Sequence, residues 1–196
     1  MEKINFIKTF IPQGDFREKY EHGGMMVRHL AAVLDEKMGA YECYECTVPI
    51  GEYDEGEIQK AFAEFSVKMD ALKLKQAKVD KIAEIAAYDT SSSVNGFVLN
   101  GLLVWLDKAT RVGLMNSTTI AKASGQETTT LWLGGMKLVV DCDKAIQLLS
   151  ALEMYALECF NVTASHKQAV SELTTIEEVE AYDYKLGYPK MLEMNI

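Results

Sequence analysis

Positive charge is scarce in this chain. Across 196 residues Lys and Arg number 20 against 29 Asp and Glu, a formal net charge of −9. Phosphate backbones and anionic lipid surfaces are gripped by clustered cations, so neither nucleic acid nor a membrane is an expected partner. Long apolar runs are missing as well. None exceeds Leu102 to Leu106, whereas a helix crossing a bilayer needs roughly 20 such residues. The N-terminus Met-Glu-Lys-Ile-Asn-Phe-Ile-Lys puts charge on both sides of a very short apolar stretch, and no small-residue cleavage site follows, so no secretory signal is expected. Synthesis is expected to be cytosolic. In that reducing compartment the four cysteines, Cys43, Cys46, Cys142 and Cys159, are expected as free buried thiols.

Patterns that carry chemistry are equally sparse. No serine sits in a nucleophile elbow, and no glycine-rich loop has the lysine and hydroxyl that cradle phosphate. Cys43-x-x-Cys46 has the spacing of half a zinc site, but on a strand positions three apart point to opposite faces, and Cys142 and Cys159 supply no second pair. The three histidines, His22, His29 and His166, share no ligand spacing; His166 lies on a helical apolar stripe, where a satisfied, partly buried ring is expected. The acidic cluster Glu177, Glu178, Glu180, Asp183 lacks the central glycine and alternating oxygens of a calcium loop and reads as a solvated helix face. Neither catalysis, nor a cofactor, nor a metal is expected.

What is present is material for a core. Hydrophobic residues make up 48% of the chain, and a fold of this size buries roughly 70% of the surface its extended form exposes. The ten methionines fit adaptable packing in a core or an interface. Three stretches stand out.

Residues 1–53 read as an N-terminal adaptor region. Ile4 to Ile11 predicts a strand. Met25 to Met38 predicts a short amphipathic helix with Val27, Leu30, Ala31 and Leu34 at helical spacing and Gly39 capping its end. Ala40 to Ile50, rich in Tyr, Cys, Thr and Val, predicts a half-exposed strand ended by Pro49 and Gly51.

Residues 54–88 predict one long helix, opened by an Asp54 and Glu57 capping box and uninterrupted by proline as far as Ala87. At 1.5 Å rise per residue it is a rod about 50 Å long. Ile58, Phe62, Phe65, Met69 and Leu72 alternate steps of four and three, and the series runs on through Gln76 to Val79, Ala83 and Ala86. That is a heptad seam, which needs a partner: either the chain's own other long helix or another copy in a coiled coil.

Residues 89–196 predict a compact α+β unit. Asn100-Gly101 and Gly134-Gly135 each separate two strand-like runs as a two-residue hairpin turn does. Between the hairpins, Lys108 to Ala123 predicts a helix capped by Asp107. A second long helix from about Lys144 to Leu173 follows, its stripe running Leu149, Leu152, Ala156, Cys159, Thr163, His166, Val170, Leu173. Thr175 to Glu178 opens a last short helix, and Gly187-Tyr188-Pro189 predicts irregular chain beyond it. The fold expected is α+β: two long helices plus short ones packed on a small antiparallel sheet built from the two hairpins. Trp105 and Trp132, one on each hairpin, read as sheet packing or as partner contacts.

The residues Val94-Asn95-x-Phe97, Leu99-Asn100-Gly101, Trp105-Leu106-Asp107-Lys108 with Arg111, Thr129-Thr130-Leu131-Trp132, Tyr155-Ala156 with Cys159, Tyr182-Asp183 and Gly187-Tyr188-Pro189 carry a resemblance. Over about residues 73–189 the chain resembles an uncharacterised domain family of tailed bacteriophages and prophages, found C-terminally in tail-fibre and tail-fibre-assembly-like proteins. One departure is the consecutive apolar Leu102-Leu103-Val104, which implies a strand covered on both faces.

The resemblance implies a structural component of a phage particle, in the tail, fibre or neck, made in the host bacterial cytoplasm and carried in the virion. It transfers a setting rather than a mechanism. The expected partners are other phage structural proteins and further copies of the chain, met through Ile58, Phe62, Phe65, Met69, Leu72, Trp105 and Trp132. The alternative is a tail-fibre assembly chaperone absent from the mature particle. A third reading, a small host-directed enzyme or inhibitor, requires a cleft with convergent polar groups.

Overall fold

The computed structural model describes residues 4–195; the charged N-terminal Glu2 and Lys3 considered above lie outside them. The chain divides into two compact units, Met1–Lys73 and Leu74–Ile196. The division falls inside the long helix rather than at its ends.

The first unit is a four-stranded antiparallel sheet in the order β1-β4-β3-β2. Its strands are β1 (Ile7–Pro12), β2 (Lys19–His22), β3 (Met25–Asp35) and β4 (Ala40–Pro49). The helix expected over Met25 to Met38 is strand β3. Its helical spacing yields to three other facts. Gly23 and Gly24 both have positive φ and turn β2 back onto β3, β4 supplies a β-branched and aromatic partner along ten residues, and Met26 through Leu30 are buried without interruption, as a strand covered on both faces requires. Gly39 is left-handed, φ +61, in the β3–β4 loop rather than at a helix end.

On one face of this sheet Met26, Leu30, Cys46 and Val48 meet Ile58 of the helix α1 (Glu55–Asp89). On the other, Phe16 and Tyr20 flank the His29 ring with centroids 5.7 and 5.9 Å away. α1 opens as expected: Asp54 Oδ1 accepts from the Glu57 amide at 2.8 Å while Glu57 Oε2 accepts from the Asp54 amide at 2.9 Å, so two otherwise orphaned donors are satisfied.

The second unit takes the last part of α1, then α2 (Ser92–Asn95), β5 (Gly96–Leu99), β6 (Leu102–Trp105), α3 (Lys108–Ala123), β7 (Thr128–Leu133), β8 (Met136–Asp141), α4 (Cys142–Glu172), α5 (Ile176–Ala181) and β9 (Leu192–Met194). Mixed helix and sheet is the α+β class expected. Asn100 and Gly101 have φ +50 and +80, the paired positive values that a type I′ turn demands. The two hairpins, however, do not join: β6-β5-β9 is one sheet and β7-β8 another. Their inward side chains share a core with α4, made of Phe97, Leu99, Val104, Leu131, Leu133 and Leu149 among others. Gly134 shows how close the hairpins come, since a Cβ there would sit 2.9 Å from a Val104 methyl.

The third strand of the β6-β5-β9 sheet is β9, which pairs parallel with β5 from Phe97↔Leu192 to Leu99↔Met194. It lies where irregular chain was expected. The α4 stripe is as read from the sequence, with Leu149, Leu152, Cys159, Thr163 and Val170 each at most 2% exposed.

Candidate functional site

The second unit carries an open cleft of about 680 Å³ where the end of β6 and the start of α3 approach α4 and the α1–α2 corner. Its apolar walls are Trp105, Leu106, Ala156, Leu157 and Phe160; its polar wall is built from Asp89, Asn95, Asp107, Lys108, Arg111 and Glu153. The local sequence explains each placement.

Asp107 follows β6 and caps α3, accepting from the Thr110 amide at 2.8 Å and the Thr110 hydroxyl at 2.7 Å. Those donors hold its carboxyl below the ordinary aspartate range. One turn on, Arg111 folds back: Nη1 donates to the Leu106 carbonyl at 2.8 Å and Nε to Glu153 at 2.9 Å. Lys108 makes no ion pair or hydrogen bond among the described residues, so its ammonium stands free at the cleft rim.

Behind the cleft, α4 is bolted to the α1–α2 corner. The Tyr155 hydroxyl donates to the Val94 carbonyl at 2.6 Å and the Cys159 thiol to the same oxygen at 3.4 Å. Burial pushes the Tyr155 phenol up to about 12 and raises Cys159 as well, so both stay neutral. Thr163 donates to Asp89 at 2.8 Å and lies 2.9 Å from the Tyr188 hydroxyl. Asn95 donates to the Asp89 carbonyl. His166 is tied to the Tyr182 hydroxyl at 2.8 Å and the Leu186 carbonyl at 2.9 Å.

These contacts sort the shared pattern into two jobs. Val94, Tyr155, Cys159, Tyr182 and Tyr188 hold helices and loop together, whereas Trp105, Asp107, Lys108 and Arg111 line the cleft. A family model described as "Domain of unknown function (DUF4376)" matches residues 76–185. The chain belongs to this family. The DUF4376 match covers most of the stretch in which the motif residues lie, and every residue lining the cleft falls within it. No curated protein and no solved structure matches the chain.

Of the interface residues expected from sequence, only Trp105 lines the DUF4376 cleft, and it is 42% exposed. Trp132 is 63% exposed, on the outer side of β7. The seam of α1 is spent differently along its length. Ile58 is fully buried within its own unit, and Phe62 and Phe65 pack edge-on and tilted against Phe6 and Tyr44, with centroids 5.2 to 5.8 Å apart. Their partner is the four-stranded sheet, not the other long helix. Met69 is half-buried and Leu72 is exposed.

Beyond Leu74 the buried positions leave the seam series: Leu74, Ala77, Ile82 and Ile85 meet Val170 of α4 and Val179 of α5, while Val79, which continues the seam, is 51% exposed.

Sequence reasoning missed Leu157 and Phe160, 50% and 59% exposed. The signal was there: both lie off the α4 stripe, and a large apolar residue on the outer side of an amphipathic helix asks for a partner. The strand β6 was expected to be covered on both faces, yet Leu102 and Leu103, successive residues that point to opposite faces, are 55% and 59% exposed, so neither face is covered at that end. Cys46 packs under α1 and all four cysteines are buried free thiols. Among the described residues no group of three or more His, Cys, Asp or Glu could hold a metal, and no helix is long and apolar enough to cross a membrane.

Proposed function

We propose that the chain is a phage virion structural protein that acts by docking, with the cleft as its contact for a neighbouring protein. The observation that carries this reading is the aromatic and aliphatic exposure of Trp105, Leu157 and Phe160 around one cleft. Large apolar side chains left open beside a fixed polar wall are the composition of an interaction hot spot.

The charged groups of the cleft favour docking over turnover. Asp107 is committed to capping α3 and Arg111 to Glu153 and Leu106, so they shape and orient rather than transfer protons. The cleft does bring polar groups together, as a host-directed enzyme or inhibitor requires, but of its charged groups only the Lys108 ammonium is without a partner among the described residues. The phage setting rests on the resemblance of residues 73–189. Self-association through the exposed part of the α1 seam, Leu72 and Val79, belongs to the same proposal.

Peptide mass spectrometry on purified particles tests it. Stoichiometric copies are expected in the particle, and a Phe160→Ser chain that still folds is expected to be lost from it. Presence in the infected lysate but not in particles would instead identify an assembly chaperone that holds its client through the same cleft.

A further inference from the structure

The first unit holds a second opening that the docking cleft does not involve. β3 is an eleven-residue strand, but β2 flanks it only from Met25 to Arg28. The His29 amide is then taken by the Glu18 carbonyl at 3.0 Å, and beyond it no strand among the described residues lies on that side of β3. There the register slips between Leu30 and Val33, and Ala31 takes φ +50, a left-handed conformation costly for a residue with a Cβ and tolerated mainly where function or surrounding structure demands it.

A cavity of about 410 Å³ opens at this break. Phe16 and Tyr41, stacked with centroids 4.1 Å apart, wall it on one side. Arg28, Gln59 and Phe62 wall it on the other, and Ala31 and Ala32 form the sheet edge between them. Arg28 has a side chain only 8% exposed. Nη1 donates to the Glu18 carbonyl at 3.0 Å and Nη2 to Glu55 at 2.7 Å, but Nε is without a partner, the one such buried side-chain nitrogen or oxygen among the described residues. An unsatisfied buried donor is costly, and Arg28, its guanidinium ends held by Glu18 and Glu55, lines the cavity.

We propose that this edge cavity binds an extended peptide segment of a partner protein, a backbone carbonyl accepting from Arg28 Nε and an apolar side chain lying against Phe16 or Phe62. Charge selects the class. Glu55 and Glu18 stand 2.7 and 3.7 Å from the same guanidinium, so its single positive charge is already matched and a phosphate or carboxylate would meet two carboxylates. A neutral amide meets no such penalty and satisfies the donor. The open edge of β3 offers it backbone groups as well, the recognition mode of strand addition. The bulge keeps the contact short, about two residues, because it breaks the ladder that a longer added strand would follow.

The test uses the full chain, isotopically labelled, with N-acetyl-phenylalanine methylamide as a neutral probe and inorganic phosphate and acetate as anionic ones. The Arg28 Nε–Hε signal and the Ala31 and Ala32 amides are expected to shift saturably with the diamide and to stay still with either anion. Ala32→Trp, which fills an exposed position of the cavity and leaves Arg28 in place, is expected to abolish the shift. A larger response to phosphate than to the diamide would overturn the proposal, as would a diamide titration that leaves the Arg28 signal unmoved. Particle incorporation plays no part in either readout, so this result stands or falls apart from the docking cleft.

Discussion

Arg111 Nε donates to Glu153 at 2.9 Å, linking two helices across 42 positions of sequence. Because the same guanidinium also holds the Leu106 carbonyl at 2.8 Å, one side chain fixes the end of β6, the start of α3 and the middle of α4. The polar wall of the cleft is therefore also a fastening. Arg111→Met is expected to cost about 2 kcal/mol, since it strands a buried carbonyl and a half-shielded carboxylate. Glu153→Gln, whose amide oxygen still accepts, is expected to cost about 1 kcal/mol. Urea unfolding midpoints of the two variants check the order.

Two glycines should respond in opposite directions. A Cβ on Gly96 would lie 2.2 Å from the Ser92 carbonyl oxygen, which is backbone and cannot swing aside, so Gly96→Ala is expected to destabilise by about 3 kcal/mol. Gly113, inside α3, has nothing within 4 Å of such a Cβ. Gly113→Ala is expected to raise stability by about 0.5 to 1 kcal/mol, by removing a helix-breaking residue. Thermal melting separates them.

The α1 seam divides into a part buried within the fold and a part that is exposed. Phe62→Ser is expected to destabilise the first unit by about 3 kcal/mol, because its ring packs with Phe6 and Tyr44. Leu72→Ser, at 57% exposure, is expected to leave melting within about 0.5 kcal/mol of the parent while lowering the mass seen by light scattering. Unchanged mass would remove the seam from any account of self-association.

Much of the second unit was legible because its signals are local. The Asn100-Gly101 turn, the Asp107 cap, the Thr175 capping box and the α4 stripe each depend on residues a few positions apart, and local chemistry alone decides them. The first unit was not. Met25 to Leu34 fits a helix by spacing, and only the pairing of β3 with β4, a tertiary fact, makes it a strand. Gly23-Gly24, a hairpin turn in the same style as Gly134-Gly135, was the local sign that went unused. The cleft was half legible: Trp105 and Arg111 stood out in the pattern, but that Leu157 and Phe160 join them depends on how α4 lies over β6.

Acid should loosen the first unit through Glu55. Hydrogen bonds from Arg28 first, and from Gln59, hold its carboxyl below the ordinary glutamate range. A group whose value is depressed on folding stabilises the fold above its unfolded value, about 4.3, and loses that contribution as pH falls through the folded one. Melting temperature is expected to drop below about pH 4.5 in the parent and to be flatter over the same window in Glu55→Gln. Identical slopes would show that the carboxylate is not linked to folding.

Thiol chemistry should report opening of the chain rather than a reactive site. Cys43, Cys46 and Cys159 are all buried and pushed upward, in each case chiefly by burial, so little thiolate exists to attack a reagent. Alkylation of the native protein at neutral pH is expected to be slow at all four cysteines and to become complete in denaturant. Rapid native labelling at one of them would locate a region that breathes.

The parallel pairing of β9 with β5 joins Phe97 to Leu192, and it orders events at the ribosome. The first unit has its strands and the helix segment that covers them once Lys73 has emerged, so it can settle while translation continues. The second cannot seal the flank of β5 until Met194 has cleared the exit tunnel, and through that interval an apolar strand waits bare, in need of shielding from every other nascent chain nearby.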